Sequence, residues 1–132
     1  MTCITPYLYY EDAGAAIEFM EDVFGFEIKQ VFRDSKNNQV LHATVRTESG
    51  KIFVGPGMDS FGTRGTPDSN LVTSMTYVYV DNVDTHYART KKAGIKIWEE
   101  PHVHFSGNKQ YTVSDPGGQR WTFAQSAEVQ QK

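Results

Sequence analysis

At 132 residues the chain is one domain's worth of polypeptide, long enough to bury a core without disulfides or a structural metal. Apolar content of 39% against 22% charged residues excludes a disordered chain, and a net charge of −3 with a pI of 5.8 gives no ground for nucleic acid or an anionic membrane as partner. The lone Cys3 excludes an internal disulfide and a cysteine-rich zinc site, no apolar run reaches the roughly 20 residues of a membrane span, and the N-terminus lacks a signal-peptide pattern, so a cytoplasmic protein is expected.

Residues 4–10 are aromatic and β-prone and open the chain as a strand. Asp12 is a predicted N-cap for a helix over 13–24, whose Ala13, Ala16, Ile17, Met20, Val23 and Phe24 share one face of a 3.6-residue period. Gly25 is predicted to stop it at positive φ. A strand follows over 26–34, then a turn at Lys36-Asn37-Asn38. Residues 39–47 alternate, with Leu41, Ala43 and Val45 on one face and His42, Thr44 and Arg46 on the other. A second turn at Glu48-Ser49-Gly50 leads into a strand over 51–54, giving the order β-α-β-β-β.

The same order returns further along. Residues 76–80 form a predicted strand, Asp81 opens a helix running to 93, Gly94 closes it, and a strand follows over 95–98. Gly25 and Gly94, Asp12 and Asp81, and Ile28 and Ile97 are each 69 positions apart, which marks a tandem repeat. The second helix has a thinner stripe, Val83, Tyr87 and Thr90, and a basic last turn of Arg89, Lys91 and Lys92 that suits the helix dipole. Residues 99–108 read as irregular; 109–114 and 119–125 are strands joined by Asp115-Pro116-Gly117-Gly118. The single domain 1–132 thus divides into module one at about 3–55, a glycine-rich connector at about 55–71, module two at about 72–125, and a polar, frayed tail at 126–132.

Two such modules, opened by Ile4-Thr5-Pro6-Tyr7-Leu8 with Asp12, Ala16-Ile17-Glu18-Phe19 and Phe24-Gly25-Phe26, and closed by Asp115-Pro116-Gly117-Gly118-Gln119-Arg120-Trp121-Thr122-Phe123, resemble the glyoxalase / bleomycin-resistance / dioxygenase (vicinal oxygen chelate) superfamily. The likeness is to its small PhnB-like and bleomycin-resistance-like members and covers almost the whole chain. It implies an α+β fold: two tandem βαβββ modules forming a U-shaped mixed sheet, helices outside, ligand in the concavity. It also implies a homodimer. Metal-using members carry His, Glu or Gln at four strand positions, which by motif fall here on Thr5, Val54 or its neighbour, Met75 and Thr122. None of these ligates a hard or borderline divalent ion well, so no metal and no other cofactor is expected.

Strand parity suggests what stands there instead. Tyr7 and Tyr9 follow Thr5, Tyr77 and Tyr79 follow Met75, and Arg120 flanks Thr122, while Leu8, Val78, Val80, Trp121 and Phe123 face the helices as core. The expected ligand-binding set is Tyr7, Tyr9, His42, Met75, Tyr77, Tyr79, Arg120 and Thr122, a wall for a flat or aromatic small molecule. The plain alternatives are tyrosines that fill a half-buried face or a dimer contact, and an Arg120 that pairs with Asp115 or a surface carboxylate. His102 and His104 have metal-like spacing without a third ligand, His42 is a candidate acid/base, and Cys3 has no activating base in view. The sequence favours a metal-independent small-molecule binding protein and leaves turnover open. Its alternatives are a glyoxalase- or dioxygenase-type metalloenzyme and a metal-free isomerase or lyase.

Overall fold

In the computed structural model, which describes residues 3–66 and 70–126, the chain divides into two compact units, 1–67 and 68–132. The connector residues 67–69 and the tail 127–132, for which fraying is predicted, lie outside the described residues. Each unit has the predicted β-α-β-β-β order, and the fold is α+β.

The first unit contains β1 (Tyr7–Tyr9), α1 (Ala13–Phe19) with a π-helical continuation (Met20–Phe24), β2 (Glu27–Arg33), β3 (Val40–Arg46) and β4 (Lys51–Gly55). Its sheet order is β1-β4-β3-β2, with β1 parallel to β4 and the other pairs antiparallel. The second unit repeats this as β5 (Thr76–Tyr79), α2 (Val83–Lys91), β6 (Ile97–Val103), β7 (Lys109–Ser114) and β8 (Arg120–Gln125), in the order β5-β8-β7-β6 with β5 parallel to β8.

α1 starts where expected: the Asp12 carboxylate accepts from the backbone N–H of Ala15 at 3.0 Å, and Gly25 closes the helix at φ 77°. Ala13, Ile17, Met20 and Phe24 are buried; α1 packs against β3 and β4 and its π-helical continuation against β2. In the second unit the cap is Asn82 rather than Asp81; its side chain accepts from Thr85 N–H at 2.9 Å. The caps are therefore 70 positions apart and the closing glycines 69. The first helix holds one residue more than the second, and the wider π turn at Met20–Phe24 takes it up without moving either end.

β1 is shorter than the expected 4–10: Pro6 only lends its carbonyl to Phe53 N–H, and Ile4 is exposed. Bulges in β3 and β6 overturn simple alternation. In β3, Phe32 pairs with His42 but Arg33 with Val40, leaving Leu41 unmatched. That extra residue flips parity, so Val40 is buried at 5% exposure while Leu41, expected beside Ala43 and Val45, is 49% exposed. In β6, Ile97 pairs with Val113, Glu99 with Thr112 and His102 with Gln110, so one extra residue stands in each interval. Of the stretch 99–108, expected to be irregular, the first half, 99–103, is a bulged edge strand, a position that also tolerates Pro101, and 104–108 form a turn.

Trp121, Phe123, Val78 and Val80 form core in the second unit with Tyr111 and Val113, as parity predicts. Leu8 is half-buried. Of the α2 stripe, Val83 and Thr90 are fully buried, and Tyr87 is half-buried with its ring edge-on to Tyr111.

Candidate functional site

In each unit the sheet face away from the helix carries aromatic and polar side chains in place of aliphatic ones. In the first unit, Tyr7 and Tyr9 of β1 lie on that face with stacked rings, centroids 4.7 Å apart and planes 12° from parallel. His42 of β3 and Phe53 of β4 share the face: the His42 ring is 4.9 Å from Phe53, and its Nδ1 is 2.9 Å from the Tyr7 hydroxyl. Phe53 was not singled out from the sequence, although β3–β4 pairing places it opposite Thr44 and on the His42 face.

Gly55 makes the Tyr7–His42 contact possible. A Cβ there would sit 2.8 Å from the Tyr7 hydroxyl oxygen and 3.2 Å from the carbonyl oxygen of Leu41. Only a residue without a side chain lets the phenol lie flat across the end of β4 and reach the imidazole. Burial, and secondarily the neighbouring Tyr9, raise the pKa of the Tyr7 phenol, so it stays protonated.

In the second unit, Tyr77 and Tyr79 follow Met75 along one face, and all three are at least 40% exposed. Their rings meet edge-on, 5.4 Å apart at 62°, unlike the parallel pair of the first unit. The cause is polar: the Asn108 amide donates to both hydroxyls, at 3.2 Å and 3.5 Å, and Tyr77 donates onward to the Gln110 side-chain oxygen at 2.8 Å. Beneath them the fully buried Thr122 hydroxyl is 2.8 Å from that of Thr112 and donates to the Met75 sulfur at 3.5 Å. Asn108 and Gln110 escaped the sequence reading; β7–β8 pairing, which puts Gln110 opposite Ala124, is the signal that finds Gln110.

Arg120 lies on the same strand face but in different company. Its guanidinium stacks 3.9 Å from the Trp98 ring centroid and its Nε donates to Ser114 Oγ at 3.2 Å, while Lys96 Nζ is 3.7 Å from the same ring. Trp98 donates from its indole N–H to that serine oxygen at 2.7 Å.

The four positions implied for a metal do not offer a donor set. The Thr5 hydroxyl is 3.5 Å from Cys3 Sγ, Val54 is fully buried hydrocarbon, and Met75 and Thr122 are bonded to each other. His102 and His104 have neighbouring rings 5.9 Å apart, with Glu99 Oε2 3.6 Å from His102 Nε2. Among the described residues no three His, Cys, Asp or Glu side chains are grouped so as to hold a metal ion. An open cleft around the start of α1, lined by Glu11, Asp12, Glu18, Arg33 and Gln39, contains none of the predicted site residues.

Comparison with known proteins adds the relatives. The family model described as Glyoxalase/Bleomycin resistance protein/Dioxygenase superfamily matches residues 4–123. An uncharacterized protein of Mycobacterium bovis is 25% identical over 126 residues, spanning 92% of this chain and 82% of its own. Among solved structures, TioX from Micromonospora sp. ML1 is similar with a TM-score of 0.73 at 25% identity, covering 96% of this chain and 97% of that one. Lactoylglutathione lyase from Agrobacterium tumefaciens shares the fold with a TM-score of 0.67 at 20% identity, covering 97% and 96%.

Proposed function

The chain belongs to the Glyoxalase/Bleomycin resistance protein/Dioxygenase superfamily, and within it we propose a metal-independent small-molecule binding protein whose ligand is flat or aromatic. One observation carries this reading: the parallel Tyr7–Tyr9 stack, continued by His42 and Phe53 over the helix-free face of a sheet. Such a wall offers large, rigid area at little entropic cost, with hydroxyls and an imidazole for orientation. The Tyr77, Tyr79 and Met75 face, with Thr122 buried beneath it, supports it, as Arg120 does with Trp98. The chemistry of Thr5, Val54, Met75 and Thr122 supports metal independence.

Two measurements test it. Elemental analysis of untagged protein, before and after chelator dialysis, is expected to give less than about 0.1 equivalent of any divalent metal, since each implied ligand position lacks a suitable donor. A thermal-shift screen of planar aromatic compounds is expected to find ligands; one present at 100 times its Kd stabilises by about 2.7 kcal/mol. Tyr9→Ala should abolish most of that shift. Stoichiometric metal that activates turnover would replace this reading with a metalloenzyme.

The Tyr7–His42 bond favours a second reading, a metal-free isomerase or lyase with one of the two as acid or base. Turnover of a bound ligand that is lost in His42→Gln with binding retained would select it. The proposal includes a cytoplasmic homodimer, supported by the exposed, unbridged Cys3 and by exposed Ile4, Leu71 and Phe105. A monomer mass by light scattering at working concentration would remove the dimer.

A further inference from the structure

Among the described residues His42 makes one hydrogen bond, between its Nδ1 and the Tyr7 hydroxyl at 2.9 Å. Among the described residues no buried side-chain nitrogen or oxygen lacks a partner. The other ring nitrogen, Nε2, therefore reaches the molecular surface, on the face that carries the Tyr7–Tyr9 stack and Phe53.

The Tyr7 phenol holds one proton, and burial keeps it there. Among the described residues its hydrogen-bond partner is Nδ1. If Nδ1 carried a hydrogen, the phenol proton would have no protein acceptor among the described residues. A hydroxyl that donates to Nδ1 satisfies both groups, and a neutral imidazole with its lone pair at Nδ1 carries its hydrogen at Nε2.

We infer that Tyr7 sets His42 as an Nε2–H donor, and that the site takes planar aromatic ligands with a carbonyl or equivalent acceptor oxygen on the ring edge. This rests on the planar-ligand reading above and narrows it. The stacked rings accept any flat molecule of suitable outline. The imidazole discriminates, because a hydrocarbon of the same outline leaves a desolvated donor without a partner. Gly55 belongs to the device, since a methyl group there meets the Tyr7 hydroxyl at 2.8 Å.

The experiment has two parts. Long-range ¹H–¹⁵N NMR at about pH 8.5, well above the ordinary histidine value, reads the His42 tautomer without ligand. Wild type is expected to show a pyrrole-type Nε2 and a pyridine-type Nδ1, and Tyr7→Phe and Gly55→Ala to lose that preference. A hydrogen on Nδ1 in the wild type would overturn the assignment. Titration calorimetry then compares 9-fluorenone-2-carboxylate with fluorene-2-carboxylate, which share outline and charge and differ in the ring ketone.

The ketone is expected to bind roughly fivefold more tightly, the worth of one neutral hydrogen bond. His42→Phe, which keeps the ring contacts, should bring the two acids to near equality, and Tyr7→Phe should narrow the gap. Equal binding of both acids to the wild type would overturn the donor role of His42 while leaving the planar-ligand reading intact. Absence of binding by either acid would overturn that reading, and this one with it.

Discussion

Asp115→Ala is expected to lower the unfolding free energy by about 3 kcal/mol, because one carboxylate closes a turn and holds the largest core side chain of the second unit. Asp115 is 5% exposed. One of its oxygens accepts the backbone N–H of Gln119 at 2.9 Å and the other accepts the indole N–H of the fully buried Trp121, also at 2.9 Å. The loop is drawn tight around it: Asp115 N–H donates to the Gln119 carbonyl, Gly118 N–H donates to the Asp115 carbonyl, and Gly118 stands at φ 92°. Truncation removes two bonds to a charged acceptor and strands a buried indole N–H, each costing roughly 1–3 kcal/mol before partial compensation by water.

Asp115→Asn sharpens this expectation. The amide has one acceptor oxygen for two fixed donors, so one N–H meets an NH₂ group and about half the loss should remain. Urea unfolding midpoints for the two variants and wild type check both values. An alanine variant within about 0.5 kcal/mol of wild type, the range of ordinary surface substitutions, would show that the carboxylate does not hold Trp121. Because Arg120, Thr122 and Ala124 share this hairpin with Trp121, the alanine variant should also weaken ligand binding through the second unit.

A second large effect is expected at alkaline pH, from Tyr111. Its hydroxyl donates to the buried Thr90 at 3.0 Å and is bonded to His86 Nδ1, and its ring is fully buried against Phe123. Burial pushes this phenol well above the usual tyrosine range; Tyr87 adds to the rise, while the bond to Thr90 opposes it. In the unfolded chain the same phenol ionises near its ordinary value of about 10. Above that pH the unfolded state binds fewer protons than the folded state, so stability falls as pH rises, by about 1.4 kcal/mol per unit for this one group. Below about pH 10 the contribution is fully present.

Tyr111→Phe separates the terms. At neutral pH it should cost about 1–2 kcal/mol, because Thr90 and His86 lose a buried partner. From about pH 10 upward the stability difference from wild type should narrow, since phenylalanine has no proton to lose. Urea midpoints at about pH 8, 9, 10 and 11 read the difference, and titration of the other tyrosines cancels between the two proteins. Parallel curves across that range would show that the Tyr111 phenol ionises in the folded state as it does in the unfolded one.

The plan of the molecule is local in origin and legible along the chain. Helix starts and stops are local events: an Asx side chain reaches its own third N–H, and a glycine takes φ near 75° at both Gly25 and Gly94. Strand parity is local as well, so the shared faces of Tyr7 with Tyr9 and of Tyr77 with Tyr79 were legible, as were the buried Trp121 and Phe123. The Asp115–Gln119 turn was visible in its composition.

Tertiary structure decided the rest, because the deciding partners are distant in sequence. The bulge that exposes Leu41 and buries Val40 exists only relative to Arg33 and Phe32 on β2, and those in β6 only relative to β7. The one-residue difference between the helices became a π turn because both ends were already anchored, at Asp12 and at Gly25. His42 meets Tyr7 across 35 positions, and Asn108 reaches Tyr77 across 31, through side-chain lengths and a gap at Gly55 that spacing does not encode. Backbone pattern follows from each residue and its near neighbours, whereas a site arises where side chains from separate strands converge.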